Sequence, residues 1–101
     1  MTDAEPTLSA RGTIVLGLED ALHAIAHFTR AGKRVERWEG SVVLRNGQRI
    51  RSLEHGGTFA LSRDPARAAA FAEAGMRKAS ATWARRPEFE GAILEFEMAF
   101  A

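Results

Sequence analysis

Apolar residues recur along this chain with two different periods, and the switches between them mark its elements. Thr13-Ile14-Val15-Leu16-Gly17 is a short β-branched run that predicts a buried strand. From Leu18 to Ala31 the period lengthens, with Leu18, Leu22, Ile25 and Phe28 at helical spacing. Glu19 and Asp20 open that helix and Arg30 closes it, signs that complement the helix dipole, and Gly32 is a natural stop. Arg34–Arg45 predicts a second strand, ending at Asn46-Gly47. Asn-Gly between two extended runs is the strongest short hairpin signal, because a type I′ turn requires positive φ at both central residues. Gln48–Ser62 is the returning strand, and the adjacent Gly56-Gly57 within it suggests a bulge or a break.

A second helix begins at Asp64-Pro65, with Asp64 as N-cap and Pro65 at the first helical position. Ala66–Arg86 is alanine-rich, and its spacing assigns Ala68, Phe71, Ala72, Gly75, Ala79 and Trp83 to the face lying on the sheet. Pro87 closes it. Residues 92–100 alternate, with Ala92, Leu94, Phe96, Met98 and Phe100 on one side and Ile93, Glu95 and Glu97 on the other. Strand, helix, strand, strand, helix, strand with right-handed crossovers predicts an α+β domain. Its expected form is ferredoxin-like, a four-stranded antiparallel sheet with two helices on one face. Residues 1–10 lack periodicity and read as a flexible arm, which leaves 11–101 as the single domain.

At 101 residues, 46% of them apolar and 27% charged, the chain fits one ordinary globular domain. The absence of cysteine excludes a disulfide framework, a thiolate metal site and a cysteine nucleophile. The apolar runs fall short of the roughly 20 residues a membrane helix needs. The acidic N-terminus has no apolar signal core, so the expected location is cytoplasmic and no membrane contact is expected.

The net charge of +1 conceals a patterned distribution. Residues 30–51 hold seven bases against Glu36 and Glu39, whereas residues 87–101 hold four glutamates and no base. Both ends of the chain are acidic and its middle is basic.

A two-residue turn at Asn46-Gly47 would pair Leu44 with Arg49 and Val43 with Ile50. One face of the hairpin would then carry Ser41, Val43, Ile50 and Ser52, and the other Trp38, Val42, Leu44, Leu53, Arg49, Arg51 and His55. Arginines beneath the helices would be costly. The second set is therefore assigned to the uncovered sheet face, beside Ile93, Glu95 and Glu97. Val42, Leu44, Leu53 and Ile93 would form an apolar strip between bases and acids. A second copy could bury that strip about a two-fold axis, with Arg49 and Arg51 set against Glu95 and Glu97 as the dimer face.

Little in the sequence points to catalysis. His23 and His27 stand four apart on the first helix, where two imidazoles could share a metal, but no third ligand is evident and no metal is expected. His55 is either a general base in a pocket or an ordinary packed or solvated histidine. No nucleophile elbow, phosphate-binding loop, dinucleotide fingerprint or calcium loop is present, and neither a catalytic residue nor a cofactor is assigned. Arg67, Arg77, Lys78 and Arg85 form a basic stripe on the second helix that could contact phosphates.

Gly56-Gly57-Thr58-Phe59-Ala60-Leu61, followed by Ser62-Arg63-Asp64-Pro65 and an alanine-rich helix, resembles the third strand and second helix of an RNA-recognition motif. Thr13–Gly17 with Leu18 is loosely similar to that family's first strand. The family stacks bases on two or three rings, whereas here the first strand has no aromatic and Phe59 stands alone. No RNA-binding residue is carried over.

Three functional readings follow. The first is a non-catalytic adaptor- or inhibitor-type protein docking on a protein or nucleoprotein partner through Arg37, Trp38, Arg45, Arg49, Arg51 and His55. The second is a dimeric α+β-barrel enzyme or small-ligand binder with a pocket near His55, Trp38 and Arg51. The third is a nucleic-acid binder using the basic hairpin and second helix.

Overall fold

A computed structural model gives the chain a mixed α+β architecture; it describes residues 6–58 and 64–101, except the side chains at 52–55 and 58. In chain order the elements are β1 (Thr13–Leu16), α1 (Leu18–Arg30), β2 (Val35–Val43), β3 (Arg49–Thr58), α2 (Pro65–Ala84), a 3-10 turn (Pro87–Phe89) and β4 (Ile93–Phe100). The strands form one antiparallel sheet in the order β1-β4-β2-β3. Each helix therefore joins two strands that run the same way with a third between them, a split βαβ unit. The sheet departs from the ferredoxin-like order, which seats the second strand of the hairpin at the centre; here that strand, β3, lies at the edge. Composition explains the exchange. β4 brings the fully buried Phe96 and Met98 to the interior. β3 opens with Arg49 and Arg51 and carries a register shift of three residues between Arg51 and Gly56, features suited to an edge. The irregularity expected at Gly56-Gly57 thus falls just before the glycines, which themselves pair with Glu39 and Trp38.

Both helices pack on one face of the sheet, α1 over β1 and β4 and α2 over β2 and β3. Helix α1 buries Ala21, Ala24, Ile25 and Phe28. Phe28 meets Phe100 of β4 with ring centroids 4.8 Å apart. Helix α2 starts where Asp64 Oδ1 accepts from the Ala66 amide at 3.1 Å, with Pro65 at its first position. It buries Ala68, Ala69, Ala72, Met76, Ala79 and Trp83. Phe71, expected inward, is 56% exposed, and Met76 fills the core instead. Leu8 already packs against the core, and the Ser9 amide donates to the Thr13 carbonyl at 2.8 Å, so the expected arm is docked by residue 8.

The hairpin decides which side chains face solvent. The Gly47 amide donates to the Leu44 carbonyl at 2.9 Å, and the Leu44 amide to the Gln48 carbonyl at 2.8 Å. The loop therefore spans Arg45, Asn46 and Gly47. Only Gly47 takes positive φ, at +87°, and Asn46 Oδ1 accepts from the Gln48 amide at 2.9 Å. This is a three-residue loop closed by a glycine bulge, not the expected type I′ turn. The pairing becomes Val43 with Arg49, Val42 with Ile50 and Ser41 with Arg51. A slip of one residue exchanges the faces of one strand relative to its partner. Trp38 and Val42, assigned to the uncovered face, lie instead beneath the helices at 4% and 1% exposure. Leu44 is half-buried and shares their strand parity. Ser41 and Val43, expected under the helices, share the parity of the uncovered face.

Candidate functional site

The uncovered face is built by alternate residues of β2, β3 and β4. β2 contributes Arg37, Glu39 and Ser41, β3 contributes Arg49 and Arg51, and β4 contributes Ile93, Glu95 and Glu97. The arginines of β3 stand where the sequence placed them, because that assignment rested on the cost of burying guanidinium groups. Glu39 and Glu97 are direct cross-strand partners, an unfavourable like-charge juxtaposition. Each has a base beside it. Arg37 Nη1 donates to Glu97 Oε1 at 3.2 Å, and Arg51 Nη1 lies 3.9 Å from Glu39 Oε2. Arg49 crosses β2, donating to Ser41 Oγ at 3.3 Å and reaching Glu95 Oε2 at 3.0 Å. Its side chain covers Ser41, a buried polar residue. Three bases and three acids thus pair across three strands, flanked by the exposed Val15 and Ile93.

This arrangement corrects the expected dimer surface. Of the expected apolar strip, Val42 is buried beneath the helices and Leu44 shares its strand parity, while Ile93 stays exposed on the open face, and Glu95 and Glu97 contact Arg49 and Arg37 of the same chain. It also separates the residues of the expected pocket, because Trp38 and Arg51 lie on opposite faces of the sheet. The side chains of Leu53 and His55, and the whole of Phe59, fall outside the described residues.

Arg45 goes elsewhere. It sits in the hairpin loop with its guanidinium against Gly91, where φ of +78° requires glycine and a Cβ would collide with that guanidinium. Gly91 borders a groove of about 510 Å³ between the end of α2, the 3-10 turn and the start of β4. Val42, Trp83, Ala92 and Leu94 form its apolar floor, and Arg85, Arg86 and Glu90 line its rim. The Trp83 and Phe89 rings stack at 5.2 Å and 24°. Ser80 is on the wall, and its buried Oγ has no hydrogen-bond partner among the described residues. Sequence reasoning missed this site. The available signal was an aromatic, Phe89, held between a helix-ending proline and a glycine.

The remaining basic residues stay dispersed. Arg67, Arg77, Lys78 and Arg85 are all exposed on α2 or at its end, and Arg67 lies 5.7 Å from the centroid of the Phe71 ring. No group of three His, Asp or Glu residues fit to hold a metal occurs among the described residues. No helix among them is long and apolar enough to cross a membrane. Compared with protein-family models, with curated proteins and with solved structures, the chain matches none.

Proposed function

We propose that this chain is a non-catalytic binding protein, of adaptor or inhibitor type, that docks on another protein through the uncovered sheet face. One observation carries the reading: Arg37, Glu39, Arg49, Arg51, Glu95 and Glu97 form three cross-strand ion pairs over three adjacent strands on a surface no helix covers. Stability does not account for such a lattice, since exposed ion pairs contribute only about 0–1 kcal/mol each. Fixed charges of both signs, basic on β3 and acidic on β4, suit recognition, where complementary potentials set register and reject wrong partners. The partner implied is a protein surface with carboxylates set to face Arg49 and Arg51 and bases set to face Glu95 and Glu97. The same carboxylates disfavour nucleic acid, because a phosphate backbone would meet Glu39, Glu95 and Glu97 along with the arginines.

The test is affinity capture from extract of the native host, with bound proteins identified by mass spectrometry and bound nucleic acid assayed in parallel. Wild type is compared with Arg49→Glu/Arg51→Glu and with Phe71→Ala, a substitution on the outer face of α2. A protein held by wild type and Phe71→Ala but lost from the charge-reversed variant is the expected result. Equal retention by all three, or retention of nucleic acid alone, overturns the reading. Light scattering on the same samples reports whether a second copy is the partner.

A further inference from the structure

We infer that the groove at the end of α2 binds a small molecule with a flat aromatic body and a carboxylate end, independently of the sheet face. Its volume of about 510 Å³ falls within the range of about 300–1,000 Å³ typical of small-molecule sites. The floor suits a planar apolar body. Val42, Trp83, Ala92 and Leu94 are apolar, and the stacked Trp83 and Phe89 rings present an aromatic wall.

The polar groups define the other end of the ligand. The guanidinium-bearing Arg85 and Arg86 line the groove at the end of α2, and the Arg45 guanidinium lies behind that lining, against Gly91. Of the two nearby acids, Glu88 lies 4.0 Å from Arg86, while Glu90 lines the rim. The guanidinium fork matches a carboxylate in two parallel hydrogen bonds. The negative end of the helix dipole is tempered where an anion would approach, because the Arg85 and Arg86 amides close back on the Thr82 and Trp83 carbonyls at 3.3 and 3.1 Å. Glu90 repels an anion from its own side and so directs the carboxylate toward Arg85. Ser80 Oγ, buried in the wall and without a partner among the described residues, offers one further hydrogen bond when the wall relaxes by a rotamer.

The experiment titrates the isotopically labelled full chain with naphthalene-2-carboxylate and, separately, naphthalene-2-carboxamide, followed by amide and indole NMR shifts. Trp38, beneath α2 at Gly75, provides an internal contrast to Trp83. The expected result is a saturable shift of the Trp83 indole and of residues 80 and 85–94. The carboxamide and the Arg85→Gln variant should each bind about tenfold more weakly, the loss of one charge-assisted contact. Arg85 is exposed and lies beyond the last helical residue, so this variant retains the fold, with circular dichroism as the check. No saturable shift at millimolar carboxylate, shifts centred on Arg37, Arg49 and Arg51, or equal affinity for carboxylate and carboxamide overturns the inference.

Discussion

Replacing Gly75 by alanine sets two known effects against each other, and the packing of α2 on the sheet decides between them. In a helix interior alanine is favoured over glycine by about 1 kcal/mol. Here the added Cβ would lie 2.5 Å from Trp38 Cζ2, 3.3 Å from Cε2 and 3.4 Å from Cη2. Comfortable carbon contacts are about 3.5–4.0 Å, so helix or indole has to move by roughly 1 Å. Trp38 has little room to yield, being 4% exposed and packed against Phe96 with centroids 5.8 Å apart. Overpacking of this kind costs about 1–3 kcal/mol. The net expectation is a loss of about 1 kcal/mol, which lowers Tm by about 4–8 °C in a domain near this size. Trp38→Phe removes the ring that Gly75 abuts. In that background Gly75→Ala should revert to its helix-propensity sign and stabilise relative to Trp38→Phe alone. Thermal and urea unfolding of the four proteins closes the double-mutant cycle. A raised Tm for Gly75→Ala in the wild-type background, or the same loss in both backgrounds, refutes the close approach of α2 to β2.

Two further predictions test the hairpin. Val42→Asp should abolish cooperative unfolding, since it buries an unpaired charge beneath the helices, whereas Val43→Asp, on the open face opposite Arg49, should change stability by less than about 1 kcal/mol. Equal effects in denaturant titrations would contradict the register. Gly47→Ala should cost about 1–2 kcal/mol by the same measurement, because φ of +87° places a Cβ against its own carbonyl; a neutral result would contradict the glycine-bulged loop.

The reading from sequence succeeded where a local rule had one outcome. Asp64-Pro65 starts a helix because the carboxylate caps an amide and proline has no N–H to lose. Gly32 ends α1 at φ of +83° because that conformation favours glycine. Arg49 and Arg51 face solvent because guanidinium groups cannot be buried cheaply. It failed at Asn46-Gly47, where the asparagine side chain accepts a hydrogen bond from Gln48 instead of taking positive φ. That lengthened the loop by one residue and exchanged Trp38 and Val42 for Ser41 and Val43. Phe71 failed differently. Spacing on an alanine-rich helix defines the buried stripe weakly, since small residues on every side leave little amphipathic contrast.

Taken alone, the amino-acid order determined the mixed α+β class, the two helices with their boundaries to within two residues, and the solvent-facing side of the charged strand. These depend on contacts within a few residues and on the price of burying charge. Only the folded chain decided the hairpin register, the placing of β4 between β1 and β2, the ion-pair lattice on the open face and the groove beside Trp83. Each of these brings together residues distant in sequence, and their energies depend on which neighbours the whole sheet supplies.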